Sequence, residues 1–401
     1  QANVTPNQGV VRHPDGTSYN AGRDSFDEAK NAELMKSIRK NMLEGVWSEE
    51  CGRCQQEEQA GLESRRIYEL KAWDYSLADA KRDTLPDGTI TVRSSYFDLR
   101  FGNLCNLACR MCGPTDSHTW YEQWAEYHGS NKYQDTHGEV ELKRNEKGRL
   151  YTADYDWHNS ESFWEQIEKN IPYIQHVYMA GGEPMMIKEH FELLRKSVEL
   201  GYSKNQMIHY NTNGTQYPEK EIKELFPYFK KVHVAFSIDD VEEQFEYQRY
   251  PATWSEVNSN IDKWDKIKKD IPTIETQICC TINVLNVVNL VGMGQWILTK
   301  NFDSWFFNML HEPRHMSITA LPKEVKEHIK QKIFNNNLPP RMYHELKNAV
   351  NRIDQYDVLD MRAFKNFRRE IDRTDLYRNQ NFAKTFPELN KMLTDLKLCL
   401  A

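Results

Sequence analysis

The sequence has no apolar run long enough to form a membrane span. Its most apolar stretch, residues 278–298, is interrupted by Asn283, Asn286, Asn289 and Gln295, where a span wants roughly 18 to 20 clean apolar residues. A soluble chain with no membrane partner is expected. Positive charge is also in short supply: 52 Lys and Arg stand against 59 Asp and Glu, a net charge of −7. No global positive field exists to hold nucleic acid, so no nucleic-acid partner is expected. Cysteine is scarce, and eight in 401 residues are too few for a disulfide scaffold. Five of the eight fall in two tight clusters, which in a reducing compartment points to metal binding and to the cytoplasm. The chain opens at Gln1 without an initiator Met and without a charged-then-apolar signal segment, which reads either as further residues upstream or as an N-terminus trimmed by processing or a tag. It has no internal repeat and no low-complexity tract.

What is present reads in three parts. Residues 1–25 are rich in Asn, Gly, Pro, Thr and Asp, with Pro14-Asp15-Gly16 set as a turn, and predict a loop or short hairpin. From Ser25, a fitting N-cap, Phe26, Ala29, Leu34, Ile38, Met42 and Leu43 recur near helical spacing, and a charged helical stretch runs over 55–82. Beyond Pro86-Asp87-Gly88, strands are predicted at 95–100, 175–179, 207–211, 231–237, 275–284 and 304–310. Helices are predicted at 189–200, 219–228, 254–270 and 290–300. Six βα repeats imply a parallel sheet with outer helices, open or closed into a partial barrel, with ligands at the carboxyl ends of the strands. Residues 131–155 are polar and read as an insertion. Residues 312–322 read as an extended segment leaving the sixth strand. The tail from about residue 322 reads as helical, broken at Pro339-Pro340.

The chemistry concentrates in Cys105-x3-Cys109-x2-Cys112, directly after the first predicted strand. Three thiolates in eight residues can wrap one side of a [4Fe–4S] cubane and leave one iron without a protein ligand, open to a substrate or cofactor. Zinc is the alternative. It wants a fourth ligand, for which His118 is a candidate, but the first spacing exceeds the usual zinc pair. After the second strand comes Gly181-Gly182-Glu183-Pro184, two glycines that let backbone approach closely and a carboxylate that can accept from an ammonium group. Polar clusters Asn211-Thr212-Asn213-Gly214 and Ser237-Ile238-Asp239-Asp240 close the third and fourth strands, with Arg249 ten residues past Asp239 and Asn283 at the end of the fifth.

On these residues the chain resembles the radical S-adenosylmethionine (SAM) superfamily. It departs from the family in carrying Met111, where an aromatic usually precedes the third Cys. The resemblance covers residues 95–322. It implies an α/β fold with a partial (β/α)6 TIM-like barrel, and a [4Fe–4S] cluster on Cys105, Cys109 and Cys112. It further implies SAM held by Gly181, Gly182, Glu183, Pro184, Thr212, Asn213, Ser237, Asp239, Arg249 and Asn283. Cys51-x2-Cys54 resembles part of a SPASM or twitch element, here placed before the core. That implies two ligands of a second iron–sulfur cluster, with the others upstream of Gln1 or among Cys279, Cys280 and Cys399; a vestige or zinc half-site is the other reading. Cys279 and Cys280 are adjacent on a strand and point to opposite faces, so at least one is core. The expected domains are an auxiliary element at 1–85, the barrel at 90–322 and a helical extension at 323–401.

By the same resemblance the cluster passes one electron into SAM's sulfonium, giving methionine and a 5′-deoxyadenosyl radical that abstracts a substrate hydrogen. The substrate is a peptide or protein side chain, or else a carbohydrate or nucleotide metabolite, and the external reductant is a flavodoxin or ferredoxin. The reading from another class is a non-catalytic iron–sulfur or electron-transfer protein. No catalytic side chain beyond these ligands is legible.

Overall fold

A computed structural model of the chain describes residues 10–59, 61, 63–135, 138–354 and 359–396. Cys399 lies outside the described residues, as does the first part of the predicted N-terminal loop. The chain divides into two compact units: Gln1–Ser95, Lys132–Glu141 and Thr152–Ile174 form one, and Tyr96–Asn131, Leu142–Tyr151 and Gln175–Ala401 the other.

The larger unit is built on six parallel strands: β1 (Tyr96–Arg100), β2 (His176–Ala180), β3 (Met207–Thr212), β4 (Lys231–Phe236), β5 (Ile274–Ile282) and β6 (Ser304–Met309). They lie in sequence order, so each pairs only with its chain neighbours and β1 and β6 are the edges of an open sheet. The register runs Leu99 to Met179, Val177 to Ile208, Tyr210 to Val234, Val234 to Thr276 and Ile278 to Trp305. Each strand matches its predicted position to within a residue or two. Strand alternation sorts the side chains onto two faces. Ile274, Thr276, Ile278, Cys280 and Ile282 of β5 are buried on one face, while Glu275, Gln277, Cys279 and Thr281 take the other. Cys280 is therefore the core cysteine and Cys279 the half-buried one.

Crossover helices cover the buried face. Trp254–Asp270 does so through Val257, Ile261, Trp264 and Ile267, the three-and-four spacing that sets one stripe inward. Glu189–Glu199 and Leu290–Ile297 stand where the periodicity places them. Glu219–Leu225 is shorter than predicted because Pro227 tightens its end into the 3-10 turn Phe226–Tyr228. Residues 312–322 depart from the extended reading: they form the turns Arg314–Met316 and Ile318–Ala320, the second capped by the Ser317 hydroxyl accepting from the Thr319 N–H. The C-terminal region is helical, with Lys323–Phe334, Pro340–Asp354 and Met361–Arg378 its longest members, and the predicted break at Pro339-Pro340 falls between the first two, with Pro340 opening the second.

In the smaller unit Ser25 does cap a helix, Phe26–Lys30, which stops at Asn31 before Glu33–Leu43 begins. The charged stretch forms Gly52–Gln59, Arg65–Ala72 and Leu77–Asp83. The predicted insertion holds two antiparallel ladders, Lys132–Asp135 with Gly138–Glu141 in the smaller unit and Lys143–Arg144 with Leu150–Tyr151 in the larger.

Candidate active site

The loop after β1 carries the three cysteines, and its backbone is held at almost every residue. The Ala108 N–H donates to the Tyr250 carbonyl (2.7 Å) and the Arg110 N–H to the Gln248 carbonyl (2.8 Å). The Trp120 indole N–H donates to the Cys109 carbonyl (3.1 Å), and the Ser117 hydroxyl to the Leu107 carbonyl (2.5 Å). Thr119 Oγ1 donates to the Cys105 carbonyl (2.5 Å), while His118 Nδ1 accepts the Cys105 N–H at 3.2 Å. His118, the candidate fourth zinc ligand, thus spends one ring nitrogen on the loop backbone.

Gly181 and Gly182 are needed at the point where β2 ends against this loop. Gly181 has φ +84°, and a Cβ there would stand 2.7 Å from the Phe101 nitrogen; at Gly182 it would collide with the Leu104 carbonyl. The Gly182 N–H donates to the Gly102 carbonyl (3.0 Å) and the Glu183 N–H to the Leu104 carbonyl (2.7 Å). The close backbone approach legible in the glycine pair is therefore made first to the chain's own cysteine loop. Pro184 opens the 3-10 turn Pro184–Met186, with Glu183 as its N-cap.

Glu183 is buried and ties β2 to β3. Its carboxylate accepts from Thr212 Oγ1 (2.8 Å), the Asn213 N–H (2.7 Å) and the Met185 N–H (3.1 Å). Burial nevertheless dominates and pushes its carboxyl up to about 7. Asn213 then reaches the cysteine loop, donating to Asn106 Oδ1 (3.0 Å) and to Cys105 Sγ (3.7 Å). Thr215 and Asn106 close the cluster, their side chains 3.0 Å apart. Neither was singled out in the sequence, although Asn106 sits inside the cysteine triplet and Thr215 two residues past Asn213. Ser237 takes part through its backbone, its N–H donating to the Thr212 carbonyl at 2.8 Å.

On the other side stands Arg249, paired with the fully buried Asp239 (Nε to Oδ2, 2.9 Å) and with a terminal nitrogen 4.0 Å from Cys109 Sγ. Burial works against the Arg249 charge, but Asp239 and the neighbouring thiols hold it above its ordinary range. Asp239 Oδ1 also accepts the Thr281 N–H (2.8 Å), fixing β4 to β5. Asn283 is fully buried behind this pair. Its amide donates to Gln248 Oε1 (3.0 Å) and the Thr281 carbonyl (3.2 Å), within a network that includes Asn286, Asn289 and Asp240.

The thiols differ. Burial pushes Cys105 up to about 12. The neighbouring Cys112 thiol, and after it Arg249, lowers Cys109, while Cys109 and burial raise Cys112. Cys109 is the sulfur best placed to ionise; the other two lose their protons to a bound metal. Among the described residues no three His, Cys, Asp or Glu are gathered as ligands of one ion would be. A cubane places each thiolate on a separate iron, and three sulfurs, two of them facing an N–H donor, form a donor set that fits it. Glu183, Thr212, Asn213, Asp239 and Arg249 are drawn to the same strand ends as the cysteines.

Cys51 and Cys54 belong to the smaller unit. Cys51 ends the turn Glu49–Cys51 and Cys54 lies in the helix Gly52–Gln59, both half-buried; burial, with Cys54 beside it, pushes the Cys51 thiol up.

Residues 99–284 match the model of the radical SAM superfamily, so the chain carries a radical SAM superfamily domain whose limits enclose the cysteine loop, the glycine pair, Asp239, Arg249 and Asn283. The family implies a [4Fe–4S] cluster and SAM. No curated protein matches the chain. Among solved structures it is similar to Streptococcus suis SuiB bound to S-adenosylmethionine (13% identity, 77% of this chain and 61% of that one, TM-score 0.38). It is also similar to native anSMEcpe with bound AdoMet (18% identity, 60% of this chain and 59% of that one, TM-score 0.40). The chain spans about three fifths of the length of these relatives, and likeness at this level carries no functional content. No helix among the described residues is long and apolar enough to cross a membrane.

Proposed function

We propose that the protein is a radical SAM enzyme, acting on a peptide or protein side chain. Bound at this site, the cluster and SAM supply a reductively generated 5′-deoxyadenosyl radical that takes hydrogen from a substrate C–H bond. The chain's own share is positioning. Cys105, Cys109 and Cys112 hold the cluster, Asn213 and Arg249 place N–H donors on two of the sulfurs, and Glu183 locks the glycine turn to the end of β3. Gly181, Gly182, Pro184, Thr212, Ser237, Asp239 and Asn283 frame the SAM side. The half-buried face of the sheet, carrying Tyr178, His209, Asn211, His233 and Gln277, offers a polar substrate several donors and acceptors. Cys51 and Cys54 supply two ligands of a twitch-like auxiliary cluster, and a cytoplasmic flavodoxin or ferredoxin supplies the electron.

The observation that carries this reading is the docking of Gly182 and Glu183 onto the cysteine loop, with Asn213 and Arg249 each reaching one of its sulfurs. The experiment is anaerobic reconstitution followed by low-temperature electron paramagnetic resonance. The reduced protein should show a [4Fe–4S]+ signal that changes when SAM is added, and the triple variant Cys105→Ala, Cys109→Ala, Cys112→Ala should show neither signal nor change. A wild-type signal indifferent to saturating SAM favours the electron-transfer reading instead.

A further inference from the structure

The long helix Met361–Arg378 of the C-terminal region ends in Arg378, a residue 7% exposed. Its Nε donates to Gln123 Oε1 at 3.0 Å, while both terminal nitrogens are buried with no hydrogen-bond partner among the described residues. Leaving a charged group so is costly. The group lies 4.8 Å from the ring centroids of both Trp120 and Tyr250. Those two residues are the ones whose indole N–H and main-chain carbonyl hold Cys109 and Ala108. The guanidinium therefore lies against the residues that grip the middle cysteine.

Charge pairing around this loop is uneven. Arg249 is answered by Asp239. Arg110, the residue after Cys109, is answered by Asp375, which also accepts from the Tyr247 hydroxyl (2.7 Å) and the Phe382 N–H (2.6 Å). Among the described residues no carboxylate pairs with Arg378. Burial and the neighbouring Arg110 lower it to about 10, against the opposing influence of Tyr127, Cys109 and Tyr250. A [4Fe–4S] cluster on three thiolates carries net negative charge and gains one more unit on reduction, which is the counter-charge an unpaired buried cation lacks.

We propose that Arg378 is a positioning residue of the cluster site: its uncompensated charge, brought in by this long helix of the C-terminal region, raises the reduction potential of the cluster on Cys105, Cys109 and Cys112. The proposal rests on the radical SAM reading of that triplet. A guanidinium at the end of its own helix also meets that helix's dipole. That purely structural role would cost stability without moving a potential.

The test is a redox titration of reconstituted wild-type protein, Arg378→Gln and Arg378→Lys, following the reduced-cluster resonance at fixed pH, with iron content and thermal midpoint measured in parallel. Loss of a unit charge through the protein interior should lower the ratio of reduced to oxidised cluster roughly tenfold at a given potential, about 59 mV for one electron. Arg378→Gln should show that shift in whatever fraction is loaded. Arg378→Lys, which keeps the charge but loses the flat ring stacking, should return most of the wild-type potential even if it is less stable. Equal potentials in all three proteins, or the same shift in Gln and Lys, would overturn the proposal while leaving the radical SAM reading intact. A wild-type protein that binds no cluster would overturn both.

Discussion

Glu183 shows how one side chain can serve two demands. Three of its acceptor positions are already taken by Thr212, Asn213 and Met185, so it fixes the turn and leaves limited capacity for an incoming ammonium group. Glu183→Gln replaces one of those acceptor oxygens by an N–H donor facing other donors and removes the charge. The loss of a charge-assisted bond of about 1.5 to 3 kcal/mol predicts SAM affinity weaker by roughly ten- to hundred-fold with cluster absorbance retained. Equilibrium binding checks this, and an unchanged affinity removes Glu183 from the site. Asp240 gives a separate test. Burial pushes its carboxyl up to about 7 against the ordinary 3.8, over the opposing bonds from Asn289 and Val241. A raised carboxyl means that the folded protein holds a proton the unfolded chain releases, so its contribution to stability is present below about pH 4 and is lost as pH rises through about 7. The stability of the metal-free protein, followed through its thermal midpoint, should fall over that window by an amount on the order of 4 kcal/mol from this group, and Asp240→Asn should flatten the fall.

At the scale of elements, the site is a meeting of strand ends, and its tightest junction is the glycine pair against the cysteine loop. Gly182→Ala would set a methyl group onto the Leu104 carbonyl, so one of the two segments must move. Iron content after reconstitution should drop several-fold, and stability should fall by about 1 to 3 kcal/mol, the usual cost of overpacking. Gly113 is the control. It follows Cys112 directly, has no positive φ, and a Cβ there meets nothing within 4 Å, so Gly113→Ala should reconstitute like wild type. A normal iron content in Gly182→Ala would mean that the docking of Glu183 on the loop is not what holds the cysteines. The motifs were legible because each is local: three cysteines in eight residues, two glycines at a strand end, Asp239 at another. Their partners were not, since what Gly182 approaches and what Asn213 bonds are set by strand order, which periodicity leaves open until register is known. Asn283 illustrates the gap. Its place at the end of β5 was readable, but its commitment to Gln248 and Thr281 was not.

For the whole molecule, the six parallel strands and the helices between them followed from alternating periodicities. The contribution of the C-terminal region did not follow. Asp375 reaches Arg110 across 265 positions of sequence, and nothing in the charged composition of the tail distinguishes Asp375 or Arg378 from their solvated neighbours. The N-terminal region was readable as helical from the Ser25 cap, its periodicity and its charge, but its division into short helices was not, and Cys51 and Cys54 supply only two thiolates for a cluster that takes more. The central claim concerns the triplet, and the product of its chemistry tests it most directly: 5′-deoxyadenosine formed per reduced cluster when SAM is given to anaerobically reconstituted protein. Release at a level clearly above background, abolished in the triple Cys105→Ala, Cys109→Ala, Cys112→Ala variant, is the result predicted. Release that persists in that variant, or none from a fully loaded and reduced wild-type cluster with SAM bound, would contradict it.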